Sequence, residues 1–175
     1  MGKDTGMKKE ELLEHIAPCS LMCYTCSAYE KGVICETAGK LLMYMEGVQE
    51  FYEKHNPGAA DDHAVFIKEL ERSCMGVCSG CRNREHHGCS IEGCFILECT
   101  KEHQVDFCGE CDEFPCKKTG PLFEEEVYLQ WRKGNEEIRE WGIERFWERH
   151  HETPHYQAYK QESRVKENDK RSSEK

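Results

Sequence analysis

Apolar positions recur at helical spacing in several separate stretches of the chain, and nothing has the length of a full β-sheet. Leu41, Met45, Val48 and Tyr52 are spaced four, three and four apart, and Leu42, Tyr44 and Phe51 widen the stripe. That pattern predicts a helix over about 36–55, broken at Asn56-Pro57-Gly58. A second helix is expected over about 61–73, opening at Asp61-Asp62 and turning Val65, Phe66 and Leu70 inward. Before these, Leu12, Leu13 and Ile16 mark a short helix that Pro18 ends. Beyond residue 120 the stripes return. Leu122, Phe123, Val127, Tyr128 and Trp131 predict a helix over 121–133, with Pro121 at its first position and Glu124 to Glu126 in its first turns. Asn135 reads as the cap of a further helix with Ile138 and Trp141, and Gly142 interrupts it. Ile143, Phe146, Trp147 and His150 continue at helical spacing over 143–151.

The segment between these stripes, 74–116, breaks the pattern. It has many turn residues, one short helix expected over about 92–103 around Phe95, Ile96 and Leu97, and nine of the 13 cysteines. Loops and metal knuckles are expected there. From about 158 the chain is rich in Lys, Glu and Ser with almost nothing apolar, and reads as disordered.

Composition sharpens the contrast. Leu, Ile, Val and Phe make up 30 of 175 residues, and the formal net charge is −10. Such a chain is short of core material and would ordinarily be read as disordered. Thirteen cysteines argue that something other than aliphatic burial holds it together. No apolar run is long enough for a transmembrane helix. Residues 1–16 lack the apolar core of a secretory signal, so a reducing cytoplasmic setting is expected, where stable disulfides are rare. The cysteine count is odd, which forbids complete internal pairing. Metal–thiolate sites are therefore favoured over disulfides. The negative charge opposes nucleic-acid binding, and thiolate sites would deepen it.

Three Cys-x2-Cys pairs carry the metal signal: Cys23/Cys26, Cys78/Cys81 and Cys108/Cys111. Two cysteines at this spacing can aim both sulfurs at one point, and the turn between them offers backbone N–H groups to the thiolates. Cys19, Cys94, Cys99 and Cys116 stand close enough in sequence to join them. Cys35, Cys74 and Cys89 are candidates to complete a third site. The spacing does not say which pairs share an ion.

Cys19-Ser-Leu-Met-Cys-Tyr-Thr-Cys26, Cys78-Ser-Gly-Cys-Arg82, Cys89-Ser-Ile-Glu-Gly-Cys94 with Cys99, and Phe107-Cys-Gly-Glu-Cys-Asp-Glu-Phe-Pro-Cys116 form an ordered set. That set resembles the successive blocks of the DUF3795 family, small cysteine-rich prokaryotic proteins. The resemblance spans about 19–118, extends over the 121–156 tail with Trp131, Asn135, Gly142 and Pro154-His155-Tyr156, and implies metal binding without supplying a reaction. The family's usual Cys-Gly opening is Cys19-Ser20 here.

Other chemistries fit less well. Cys19-x3-Cys23-x2-Cys26 has the spacing of the radical S-adenosylmethionine cluster motif, but Thr25 replaces its aromatic and no βα alternation surrounds it. An iron–sulfur cluster or a redox thiol pair is the alternative to zinc, although the ferredoxin run C-x2-C-x2-C-x3-C-P is absent. Cys108/Cys111 lacks the βαβ setting of a thioredoxin-like couple. His86-His87 read as a solvated loop, and His103, His150 and His151 as helix-end residues. Trp131, Trp141 and Trp147, with Tyr128 and Phe146, read as a cover for the metal core. The alternating Arg and Glu residues of 132–149 read as solvated helix faces.

The expectation is a mainly α, small, metal-stabilised domain over 1–157. Its metal centre would lie in 19–35 and 74–118, its flanking helices in 36–73 and 121–151, and a disordered tail over 158–175 would follow. Two to three structural zinc ions would be bound by Cys19, Cys23, Cys26, Cys78, Cys81, Cys94, Cys99, Cys108, Cys111 and Cys116. No catalytic set is expected, and any partner would be a protein rather than nucleic acid or membrane.

Overall fold

A computed structural model describes residues 6–83, 89 and 91–157. The expected tail at 158–175 and the His86-His87 pair lie outside the described residues. In chain order the helices are α1 (Lys9–His15), α2 (Val33–Tyr44), α3 (Val48–His55), α4 (Pro57–Cys74), α5 (Ile96–Glu102), α6 (Glu125–Trp141) and α7 (Ile143–His150). Short 3-10 turns lie at Cys23–Thr25, Cys108–Glu110 and Lys117–Leu122. The protein is mainly α. Among the described residues β-pairing is limited to two isolated bridges, Ile16 with Met22 and Tyr29 with Cys78. No helix among them is long and apolar enough to cross a membrane.

Several elements differ from the sequence pattern for identifiable reasons. The helix expected over 36–55 is two helices, because Gly47 takes φ +81° at the break, a left-handed conformation that glycine tolerates. Asn56-Pro57-Gly58 does not only end α3. Pro57 opens α4, where its missing N–H costs nothing. Val65 and Phe66, expected inside, are exposed at 71% and 44%. The face of α4 turned inward instead carries Ala60, His63, Ile67, Leu70 and Cys74, which also follow helical spacing. Pro121 belongs to the Lys117–Leu122 turn, and α6 runs unbroken past Asn135. Asn135 is thus a buried mid-helix residue and not a cap. Gly142 does separate α6 from α7, at φ +81°.

Two small apolar clusters make the core. Leu12, Ile16, Met22, Phe107, Ile138, Ile143, Phe146 and Trp147 pack where α1 meets α6 and α7. Ala17, Cys19, Ile96, Cys108, Phe123 and Trp131 pack around the cysteines. The first cluster joins α1 to α6 and α7, and the second packs Trp131 of α6 and Ile96 of α5 against the cysteine-bearing turns. Helices α2, α3 and α4 pack mainly on one another and bury little, with Ala38, Ala60 and His63 their buried residues.

Candidate metal centre

The first knuckle follows α1. The Ile16–Met22 bridge closes the turn that carries Cys19, and the Cys23–Thr25 turn holds the first Cys-x2-Cys pair. Ser20 sits at φ +65° inside that turn. A left-handed backbone costs a non-glycine residue roughly 1–2 kcal/mol, which explains physically why a glycine suits the position. Here the serine gains something in return. Its Oγ–H donates to the Trp131 carbonyl at 3.3 Å and its oxygen accepts from Asn135 Nδ2 at 3.0 Å. A Cβ on Gly134 would come within 2.5 Å of that oxygen, so α6 can approach only through a glycine.

The second knuckle is paired with the first by backbone. Cys78 N–H donates to the Ala28 carbonyl at 2.9 Å, and Glu30 N–H donates to the Cys78 carbonyl at 3.0 Å. This brings Cys78/Cys81 to face Cys23/Cys26. Cys23 and Cys81 line the same cavity, and the Cys23 thiol beside it pulls the Cys81 thiol down to about 7, with help from the Arg82 charge. The interaction with Cys81 and burial push Cys23 up. Arg82 fixes the knuckle by donating to the carbonyls of Leu13, Ile16 and Asp106 at 2.8, 2.5 and 2.6 Å. Its guanidinium also lies 5.1 Å from the centre of the Phe107 ring.

The third knuckle, Cys108/Cys111, is held by α6. Asn135, fully buried, accepts from Gly109 N–H at 2.7 Å. Its Nδ2 also donates to the carbonyls of Cys19 at 3.1 Å and Trp131 at 2.8 Å. One side chain therefore ties the first knuckle to the third. Arg139 donates to the carbonyls of Gly109 and Cys111. A Cβ on Gly109 would overlap the Asn135 backbone carbonyl, so this Cys-x2-Cys must contain glycine at that position.

These contacts sort the thirteen cysteines into three groups. Cys19, Cys23, Cys26, Cys78, Cys81 and Cys89 line one cavity of ≈ 220 Å³. Cys94 belongs with them, since it is near enough to Cys19, Cys81 and Cys89 for their charges to interact. Cys99, Cys108, Cys111 and Cys116 line a second cavity of ≈ 20 Å³, together with His103 and Trp131. Cys35 and Cys74 lie apart, at the base of α2 and α4. The short helix α5 thus separates Cys94 from Cys99, sending one to each cavity. As the side chains stand, no three Cys, His, Asp or Glu donors among the described residues converge closely enough to grip one ion.

The donor chemistry fits a soft metal in both cavities. Each is lined by thiols, with Glu113 the carboxylate lining the smaller one. Burial pushes the Cys19 thiol well up, the Cys108 thiol up to about 11, and the Cys89, Cys94 and Cys99 thiols up. Without metal these sulfurs are neutral near pH 7. Against burial, the ring N–H of nearby Trp131 favours the Cys108 thiolate. That N–H is buried and lacks a normal hydrogen-bond acceptor. A metal-bound thiolate at Cys108 would supply one.

The other aromatic and charged residues fall on either side of expectation. Trp131 covers the smaller cavity, while Trp147 packs in the other cluster, stacked between His15 and His151 at 5.4 and 5.2 Å. Arg149 covers the Trp141 ring at 4.0 Å. Arg132 and Glu136 form the expected exposed i,i+4 pair at 2.9 Å. His150 is more than a helix-end residue, since its Nε2 lies 2.6 Å from Glu137 Oε2. The backbone anchors Arg82, Asn135 and Arg139 carry no spacing signal, so sequence reading missed them.

The model of a family described as a protein of unknown function (DUF3795) matches residues 15–121. No curated protein and no solved structure matches the chain.

Proposed function

The chain belongs to the DUF3795 family, and we propose that it is a metal-binding module with two structural zinc centres. One centre uses Cys99, Cys108, Cys111 and Cys116. The other draws its four thiolates from the facing pairs Cys23/Cys26 and Cys78/Cys81, with Cys19, Cys89 and Cys94 beside them. The observation that carries this reading is the grouping itself: Cys99 of α5 and three cysteines from the turns that follow it line a cavity of only ≈ 20 Å³. A space of that size suits a bare ion, and four thiolates suit tetrahedral zinc. The metal–thiolate bonds would supply folding free energy that the two small apolar clusters lack. The role is structural, with recognition of a protein partner as its outcome in a cytoplasmic setting.

A second reading is favoured by one observation at the other centre. The cavity lined by six cysteines is ≈ 220 Å³, which leaves room for an iron–sulfur cluster held by four of them. Anaerobic purification followed by metal and acid-labile sulfide analysis separates the two. Two zinc per colourless chain is expected. Cys108→Ser with Cys111→Ser would remove one zinc, and Cys78→Ser with Cys81→Ser the other. Iron and sulfide lost only in the second variant would replace zinc by a cluster at that centre. A protein that binds neither metal would overturn the proposal.

A further inference from the structure

Two cysteines, Cys35 and Cys74, line neither cavity, and they lie close together. Cys35 lies in the first turn of α2, and Cys74 is the last residue of α4. The Cys35 thiol donates to the Cys74 carbonyl at 2.8 Å. The Cys74 sulfur in turn rests on α2, where a Cβ on Gly39 would stand 3.8 Å from it. Gly39 is one turn beyond Cys35 and on the same face. The Cys74 sulfur therefore lies along the stripe of α2 that carries Cys35, where glycine leaves it room. Both cysteines are partly exposed.

We propose that Cys35 and Cys74 form a reversible disulfide that staples the base of the α2–α4 unit. This unit needs such a tie more than the rest of the fold. Its three helices bury only Ala38, Ala60 and His63, while Tyr44, Phe51 and Val65 are exposed at 77%, 56% and 71%. Cross-linking Cys35 to Cys74 restrains the opening of all three helices at once. The oxidant is a low-molecular-weight disulfide, RSSR. The thiolate of one cysteine attacks it, forms a mixed disulfide and expels RS⁻. The thiolate of the other cysteine then attacks the protein sulfur of that mixed disulfide and expels the second RS⁻. The two thiol protons end on the two leaving thiolates, so RSSR is reduced to two RSH as one protein disulfide forms. An excess of RSH reverses the sequence.

The test treats the full-length, zinc-loaded protein with oxidised glutathione, alkylates the remaining thiols and maps the peptides by mass spectrometry. A cross-linked peptide joining Cys35 to Cys74 is expected, with zinc content unchanged. Proteolysis within 36–73 should slow by about tenfold on oxidation, since cleavage tracks the opened population. Cys35→Ser should leave Cys74 as a stable glutathione adduct and abolish the protection. Alkylation of both cysteines in the treated wild type would overturn the proposal. So would their pairing with other cysteines, or a loss of zinc in Cys35→Ser, which would make Cys35 a ligand. Absence of zinc with the cross-link intact would overturn the metal reading alone.

Discussion

Asn135 is the side chain that ties the two cysteine-lined regions together. It is fully buried and makes four hydrogen bonds, to Gly109 N–H and to oxygen atoms of Cys19, Ser20 and Trp131. Replacement by Ala leaves the Gly109 N–H and the Cys19 carbonyl without this partner. The Trp131 carbonyl keeps Ser20, and Ser20 keeps Trp131. Each buried group left unsatisfied costs about 1–3 kcal/mol, so the two together cost about 4 kcal/mol. Domains of this size are stable by about 5–15 kcal/mol, so the loss is a large share of the whole. For a domain of about 150 residues it corresponds to a fall in Tm of roughly 8–16 °C. The assay is thermal unfolding of zinc-loaded protein followed by far-ultraviolet circular dichroism. Asn135→Leu is the companion variant, because it restores much of the volume and none of the hydrogen bonds. Similar losses in both variants would assign the effect to the orphaned groups. A fall of less than about 3 °C in both would refute the reasoning, since two uncompensated buried groups cannot cost so little.

Arg139→Ala removes two donors to the carbonyls of the third knuckle. It should weaken zinc at Cys99, Cys108, Cys111 and Cys116 by about 10–100-fold and leave the other centre unchanged, read by competition with a chromophoric chelator. Trp131→Phe deletes the N–H directed at Cys108 while keeping most of the ring, and about a tenfold loss at the same centre is expected by the same titration. The pH dependence should differ in sign between the two forms. In the metal-free protein burial raises Cys108 to about 11, above its unfolded value. Its contribution is therefore full below about pH 8.5 and lost as pH rises through about 11. In the zinc form the thiolates are bound, so acid should release metal and higher pH should tighten it. Urea titrations of both forms across pH 6–11 would show opposite slopes, and parallel slopes would contradict bound thiolates.

The family, the mainly helical class and the clustering of cysteines are legible in the residues alone. Those properties are local. Helical periodicity placed α1, α6 and α7 near their observed positions, and Cys-x2-Cys spacing marked all three knuckles. Its errors were also local patterns overruled from a distance. Val65 and Phe66 look like core residues on a helical wheel, yet α4 turns another face to α2 and α3. Asn135 looks like a cap, yet its hydrogen bonds go to residues 26 and 116 positions away in sequence. The grouping of the cysteines is of the same kind. Cys94 and Cys99 are five residues apart and go to different groups, whereas Cys23 and Cys81 are far apart in sequence and line the same cavity. Only the tertiary structure could decide this, because spacing fixes how two neighbouring sulfurs may turn. Which knuckles face each other depends on backbone contacts made across the whole chain, through Arg82, Asn135 and Arg139.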